Sequence, residues 1–281
     1  MKKSKKIIYY KDELKDDFLN TKTSLNVIVD GGYNYLPKNI FFKIASFWFY
    51  FLFAFPLVFL VNYLFFGISV KGRKNLKYLR KQGYFIYSNH TSFRDSWLGP
   101  ISIAPFRKVY VISNKDAIQI PVVNVITKFA GALPVADTVS GLKNLNLAII
   151  ELIKKKKVVT IFPEAHIWPY YTKIRPFPLT SFRFASITNS PAVPVAVCYK
   201  KRKFLGNIRS PKMHVYIGKP VYPKQELTDR ENATYLKNEV FNYIKKTVEK
   251  ESTYAYVEYV KIENIKQSNV NEDEQLKKEI I

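Results

Sequence analysis

Residues 44–70, IASFWFYFLFAFPLVFLVNYLFFGISV, run without a single charge. About 20 apolar residues suffice to cross a bilayer as a helix, so the run predicts a membrane anchor. It holds 11 aromatics between Phe47 and Phe66, which suits the lipid–water interface as well as the apolar interior. Pro56 lies at its middle and predicts a kink or break there. The pattern therefore allows a single transmembrane helix or a re-entrant helix pair. A secretory signal peptide does not fit, because the run starts late and no small-residue cleavage site follows.

Beyond residue 82 the apolar period switches repeatedly between two and 3.6. YFIYS (84–88), KVYVIS (108–113), ALPVA (132–136), VVTIF (158–162), PAVPVAVCYK (191–200) and MHVYIGKPV (213–221) read as strands. DAIQIPVVNVITKFAG reads as a helix ending near Gly131. SGLKNLNLAIIELIKKKK carries apolar residues at helical spacing, with Ser140 as its expected cap. LTDRENATYLKNEVFNYIKKTVEK predicts an amphipathic helix capped by Thr228 or Asp229. Strands alternating with helices predict an α/β fold, a mixed and largely parallel sheet flanked by helices, behind an N-terminal membrane-embedded helical segment. The expected divisions are a basic and polar segment (1–43), the anchor (44–70), a catalytic domain (71–250) and a C-terminal extension (251–281) with a polar tail from about residue 263.

Composition sharpens this picture at two points. The net charge is +23 in 281 residues, which attracts nucleic acid or an anionic membrane. The uncharged run favours the membrane, and no nucleic-acid signature is present. Directly after the run, KGRKNLKYLRK (71–81) carries six basic residues and no acidic one. Such a flank places the following domain at the anionic inner leaflet of the cell membrane, on the cytoplasmic face. The lone cysteine, Cys198, lies in an apolar run and is expected to be buried in a strand.

The candidate chemistry starts at SNHTSFRDSW (88–97). His90 follows a strand, and a helix is expected to begin around Ser92 to Asp95. Carboxyl ends of strands are where open α/β sheets carry function. A carboxylate five residues on can turn back to Nδ1–H, fixing the tautomer and leaving Nε2 to accept a proton. No G-x-S-x-G elbow supplies a serine nucleophile, so such a pair would activate a substrate hydroxyl. The competing reading is a solvated, capped turn. A second stretch, IFPEAHIWPYYTKIRPFPLTSFRFA (161–185), runs from a strand into Pro163 and Glu164. Lys173, Arg175 and Arg183 follow as candidate partners for an anionic head group.

Together these stretches resemble the glycerolipid acyltransferase family, which includes the 1-acyl-glycerol-3-phosphate acyltransferases. NHTSFRD resembles the family's N-H-x4-D motif, which makes His90 the base and Asp95 its partner. FPEAH (162–166) resembles F-P-E-G-T-R, which implies that Glu164 binds the acceptor. GALPVAD (131–137) and PAVPVAV (191–197) resemble the glycine-led and proline-centred motifs, with Pro194 in the latter. The resemblance covers roughly residues 70 to 250 and implies direct acyl transfer from acyl-CoA or an acyl carrier protein to a lysolipid hydroxyl, without a resident cofactor. Departures stand at Ala165, His166 and Ile167, in place of Gly, Thr and Arg, and at Thr138 in place of Arg. Both expected phosphate-binding arginines are thus missing, and Arg175, with Lys173 as second choice, is expected to replace them. His166 either bonds the acceptor or packs beside Trp168. The basic runs 154–157 and 200–203 are open to lipid head groups, coenzyme A phosphates or an acidic carrier protein.

Other classes fit less well. A P-loop is missing, and His90, His166 and His214 lack metal-site spacing. The remaining alternatives are an acyltransferase for another lipid acceptor and a non-catalytic, membrane-bound lipid-binding relative. Oligomeric state leaves no mark in the sequence.

Overall fold

A computed structural model describes residues 6–18, 27–98, 103–104, 107–119, 123–202 and 210–263. Two strands at its ends, β1 (Lys6–Tyr10) and β9 (Val257–Lys261), pair in parallel as a small sheet of their own. The main sheet has seven strands: β2 (Ser69–Lys71), β3 (Tyr84–Ser88), β4 (Val109–Ser113), β5 (Ala132–Pro134), β6 (Val158–Ile161), β7 (Ala192–Lys200) and β8 (Lys212–Ile217). Their spatial order is β2-β8-β7-β3-β6-β4-β5. The β7–β8 pair is antiparallel and the other neighbours are parallel. The fold is therefore α/β with a mixed, mostly parallel sheet.

The first helix, α1, runs Ile40–Leu64. At 1.5 Å per residue it is about 38 Å long, enough for a hydrocarbon core of about 30 Å. It does not break at Pro56. The turns at Phe49–Ala54 and Val61–Phe65 widen to π geometry instead, the first of them directly ahead of the proline, which removes a donor and crowds the preceding turn. The re-entrant pair is thus replaced by one continuous helix. Its first half docks on the domain. The Ser46 hydroxyl donates to the Phe129 carbonyl at 2.8 Å, and the Tyr50 hydroxyl accepts the Val109 N–H at 3.2 Å. Most of its flank is bare: 11% of its most apolar 18-residue stretch is buried.

The other helices follow the sequence with local differences. The short helix α2 spans Asp95–Leu98, α3 Val123–Ala130, α4 Val139–Lys154, α5 Arg183–Ile187 and α6 Asp229–Glu251. The expected helix from Asp116 starts later, at Val123, and a 3₁₀ turn occupies Lys115–Ile118. Gly131, with φ at +95°, ends it. Thr138, not Ser140, caps α4, accepting the Gly141 N–H. Thr228 and Glu231 form a reciprocal capping box on α6.

Each face of the sheet is covered. Phe85, Tyr87, Val159 and Ile161 pack with Leu145, Ile149, Leu152, Leu236, Val240 and Ile244 of α4 and α6. Ile86, Val158, Val195 and Val197 face Ile68, Leu76 and Leu79, next to the end of α1. Cys198 is buried within β7. Past residue 250, β9 and Tyr256 pack back on the loop after β6. The tail beyond Glu263 lies outside the described residues.

Candidate active site

Strand adjacency brings the two chemical stretches together. Tyr87 of β3 is registered opposite Ile161 of β6, so the loops that leave both strands at their carboxyl ends emerge side by side. Beyond β3, the Asn89 amide donates to the Val197 carbonyl at 3.0 Å and accepts the Val197 N–H at 2.8 Å. This side chain continues the β3–β7 ladder by one more step and fixes the backbone just ahead of His90.

His90 is 8% exposed. Its Nδ1–H donates to Asp95 Oδ2 at 3.3 Å. The same oxygen accepts the N–H of Thr91 at 2.6 Å and of Ser92 at 2.8 Å. Asp95 opens α2, and its carboxylate ties down the turn before it. Oδ1 of Asp95 is buried without a partner. The Phe162 ring stacks on the imidazole at 4.1 Å and 12°. With one edge held by Asp95 and one face by Phe162, the ring cannot rotate freely. Its Nε2 makes no hydrogen bond among the described residues.

Glu164 lies beneath this pair rather than at its mouth. Its Oε2 accepts the His90 backbone N–H at 2.9 Å and the Arg175 guanidinium at 3.2 Å. Its Oε1 accepts the Arg175 N–H at 2.9 Å. Burial pushes the Glu164 carboxyl above the ordinary range, and Arg175 and the two backbone donors oppose that shift. Glu164 has no free oxygen for an acceptor; it positions the His90 backbone.

Arg175 is corrected in the same way. It is 0% exposed, lies 4.8 Å from the Trp168 ring centroid, and donates to the carbonyls of Glu13 and His166 besides Glu164. A guanidinium spent on these partners cannot clamp a head group. His166 is half-exposed and bonds Asp17 of the N-terminal segment at 3.2 Å. Trp168 is fully buried, ringed by Tyr10, Phe18, Tyr171 and Tyr259. Lys173 and Arg183 are exposed and form no ion pair among the described residues.

Sequence reasoning missed two features. Ala165 adopts a left-handed conformation, φ +61°, where the family pattern has glycine. Phe93, within the motif, is 57% exposed and meets Trp97 edge-on at 5.5 Å. Its place within the motif concealed this exposed aromatic beside His90 and Asp95.

The profile of the family described as Acyltransferase matches residues 67–198, a span that contains both loops. Residues 67–198 of the chain thus form an acyltransferase domain. A solved structure of similar fold is the 1-acyl-sn-glycerophosphate acyltransferase PlsC from Thermotoga maritima. It aligns with a TM-score of 0.54 and 20% identity over 75% of this chain and 86% of that one. At that identity the likeness speaks for the fold. None of the curated proteins compared matches the chain significantly. For this acyltransferase the Asn89–Asp95 loop and the Phe162–Glu164 loop together form the candidate active site.

Proposed function

We propose that this acyltransferase moves a fatty acyl group from an acyl thioester, acyl-CoA or acyl carrier protein, to the hydroxyl of a lysophospholipid at the membrane surface. The acceptor of first choice is 1-acyl-glycerol-3-phosphate. The observation that carries the reading is the His90–Asp95 pair, held from below by Glu164, with Nε2 free.

The chemistry follows from that geometry. Nε2 takes the proton of the acceptor hydroxyl as its oxygen attacks the thioester carbonyl. The tetrahedral intermediate then collapses, the C–S bond breaks, and the departing thiolate recovers the proton from the imidazolium. Asp95 stabilises that imidazolium. A thioester is already activated, so no covalent enzyme intermediate is needed, and the donor is a co-substrate rather than a resident cofactor.

The membrane part of the reading rests on the bare flank of α1, on Phe93 beside Trp97, and on the six basic residues of 71–81. These support an anchored enzyme whose catalytic domain lies on the cytoplasmic face. The test is to incubate purified full-length protein with a panel of lysolipids and either acyl-CoA or acyl carrier protein thioesters, then to identify the lipid products by mass spectrometry. A new diacyl lipid that depends on His90 is expected. Failure to acylate every acceptor with both donors would leave the non-catalytic lipid binder as the better reading.

A further inference from the structure

Arg94 is the fourth of the four residues between His90 and Asp95, and 97% of it is buried: its exposure is 3%. Its guanidinium lies 4.0 Å from the centroid of the Phe66 ring, just past the end of α1. Its Nε reaches Ser92 Oγ at 3.4 Å. No carboxylate pairs with it among the described residues. In this respect it differs from Arg175, which is equally buried but paired with Glu164. A buried cation without a counter-charge is strongly disfavoured unless an anion joins it.

A second observation points to the same place. Asn62 of α1 is fully buried, and both atoms of its amide lack a partner. It precedes Phe66 by four residues, in the last turn of the helix. An unsatisfied amide on an anchor helix is costly and marks a binding position. Arg94 thus reaches the segment that follows the membrane helix, and Asn62 lies four residues before the ring it meets. Ser92, which touches Arg94, is also one of the residues whose N–H holds Asp95.

We propose that Arg94, assisted by Asn62, binds the phosphoryl group of the lipid acceptor and thereby presents the acceptor hydroxyl to His90. The guanidinium supplies a planar fork suited to phosphate oxygens, and the amide supplies a neutral donor at the bilayer side. This assignment rests on the acyl-transfer reading above and gives it a phosphate-binding residue. It takes the role that Arg175 cannot fill.

The source of the phosphate is separable by experiment. Full-length protein carrying His90→Ala, so that nothing turns over, is titrated in detergent with 1-acyl-glycerol-3-phosphate, with 1-acylglycerol of the same chain, and with coenzyme A. Adding Arg94→Met is expected to weaken the phosphate-bearing lipid about 10- to 100-fold, with 1-acylglycerol and coenzyme A changed by less than about twofold. Asn62→Leu should act in the same direction and more weakly. Unchanged affinity for the phosphate-bearing lipid, equal weakening of both lipids, or a loss confined to coenzyme A overturns the assignment. Should Arg94→Met not fold, Arg94→Lys decides in its place. It keeps the charge and loses the fork, so a drop of about three- to tenfold for the phosphate-bearing lipid alone supports the site, and parity with the parent overturns it. Turnover is scored separately on the unmodified chain, so a protein that binds the phosphate-bearing lipid through Arg94 yet transfers nothing supports this site and overturns only the reaction.

Discussion

Glu164 accepts the backbone N–H of His90 at 2.9 Å across 74 residues of chain. That bond is possible because β3 and β6 are parallel neighbours in register, and each loop starts within a residue or two of its strand's end. The ion pair of Glu164 with Arg175 therefore acts on His90 through the backbone. Arg175→Met leaves a buried carboxylate without its cation, and Glu164→Gln leaves a buried guanidinium without its anion. Each is expected to cost about 3–5 kcal/mol of stability. The double variant should recover much of that loss, because neither charge remains. Denaturant unfolding of the three proteins measures the coupling, and additive single effects would show that the pair does not act as a unit. Activity should fall through kcat, with the acceptor KM little changed. A selective rise in acceptor KM for Arg175→Met would restore the head-group role that the sequence suggested.

Ala165 yields a stability prediction of the opposite sign. At φ +61° its Cβ is strained by about 1–2 kcal/mol, and glycine removes that strain at an entropic cost of about 0.4–1 kcal/mol. Ala165→Gly should therefore stabilise the fold by about 0.5–1 kcal/mol. Ala165→Val should destabilise it, because β-branched residues tolerate this region worst. Thermal melts of both proteins check the order. A glycine variant less stable than its parent would mean that the loop relaxes when bound elsewhere in the fold.

These cases show what was legible in the sequence. β3 was read with the bounds it has, because its apolar run ends at Gly83 on one side and at the polar Asn89 on the other. The His90–Asp95 contact was legible too, since five residues of loop are local and strand-to-helix turns are stereotyped. Burial was not. Glu164, Arg175 and Arg94 are all charged residues in motif-like stretches. Only the fold shows that the first two neutralise each other beneath the site while the third pairs with no carboxylate among the described residues. The β1–β9 pairing was hidden for another reason: its strands are short, half-exposed and at opposite ends of the chain, where no local pattern connects them.

The anchor can be tested without cutting the chain. Removing residues 1 to 70 would also delete Ser46, Tyr50 and part of β2, all of which pack on the domain. Phe53 and Leu57 are better targets, because both are exposed on α1. A lysine near the middle of a membrane helix costs about 2.5–3.5 kcal/mol. The double variant Phe53→Lys/Leu57→Lys should shift the protein from the membrane fraction towards the soluble one while its circular dichroism stays unchanged. Unaltered membrane partitioning would remove α1 as the anchor.

The catalytic pair gives the decisive prediction. His90→Ala removes the proposed base, and general-base assistance is worth about 10²–10⁴-fold, so transfer should fall by that factor. The fold should survive, since Asn89 and Glu164 hold the loop through other atoms. Asp95 is subtler. All three donors converge on Oδ2, and Oδ1 has none. In Asp95→Asn the amide oxygen can take the Oδ2 position, keeping both backbone bonds and the Nδ1–H tautomer. What disappears is the negative charge that stabilises the imidazolium. The difference between a charged and a neutral hydrogen bond is about 1–2 kcal/mol, so Asp95→Asn should lose roughly 10- to 30-fold in kcat, much less than His90→Ala. Asp95→Ala also releases the N–H groups of Thr91 and Ser92, so it should lose stability as well as rate. A labelled-acyl assay on the three variants, with thermal melting as the folding control, ranks them. If a well-folded His90→Ala protein kept near-normal transfer, the loop would be a capped turn and the base would lie elsewhere. If Asp95→Asn fell as far as His90→Ala, its amide would have flipped and imposed the wrong tautomer.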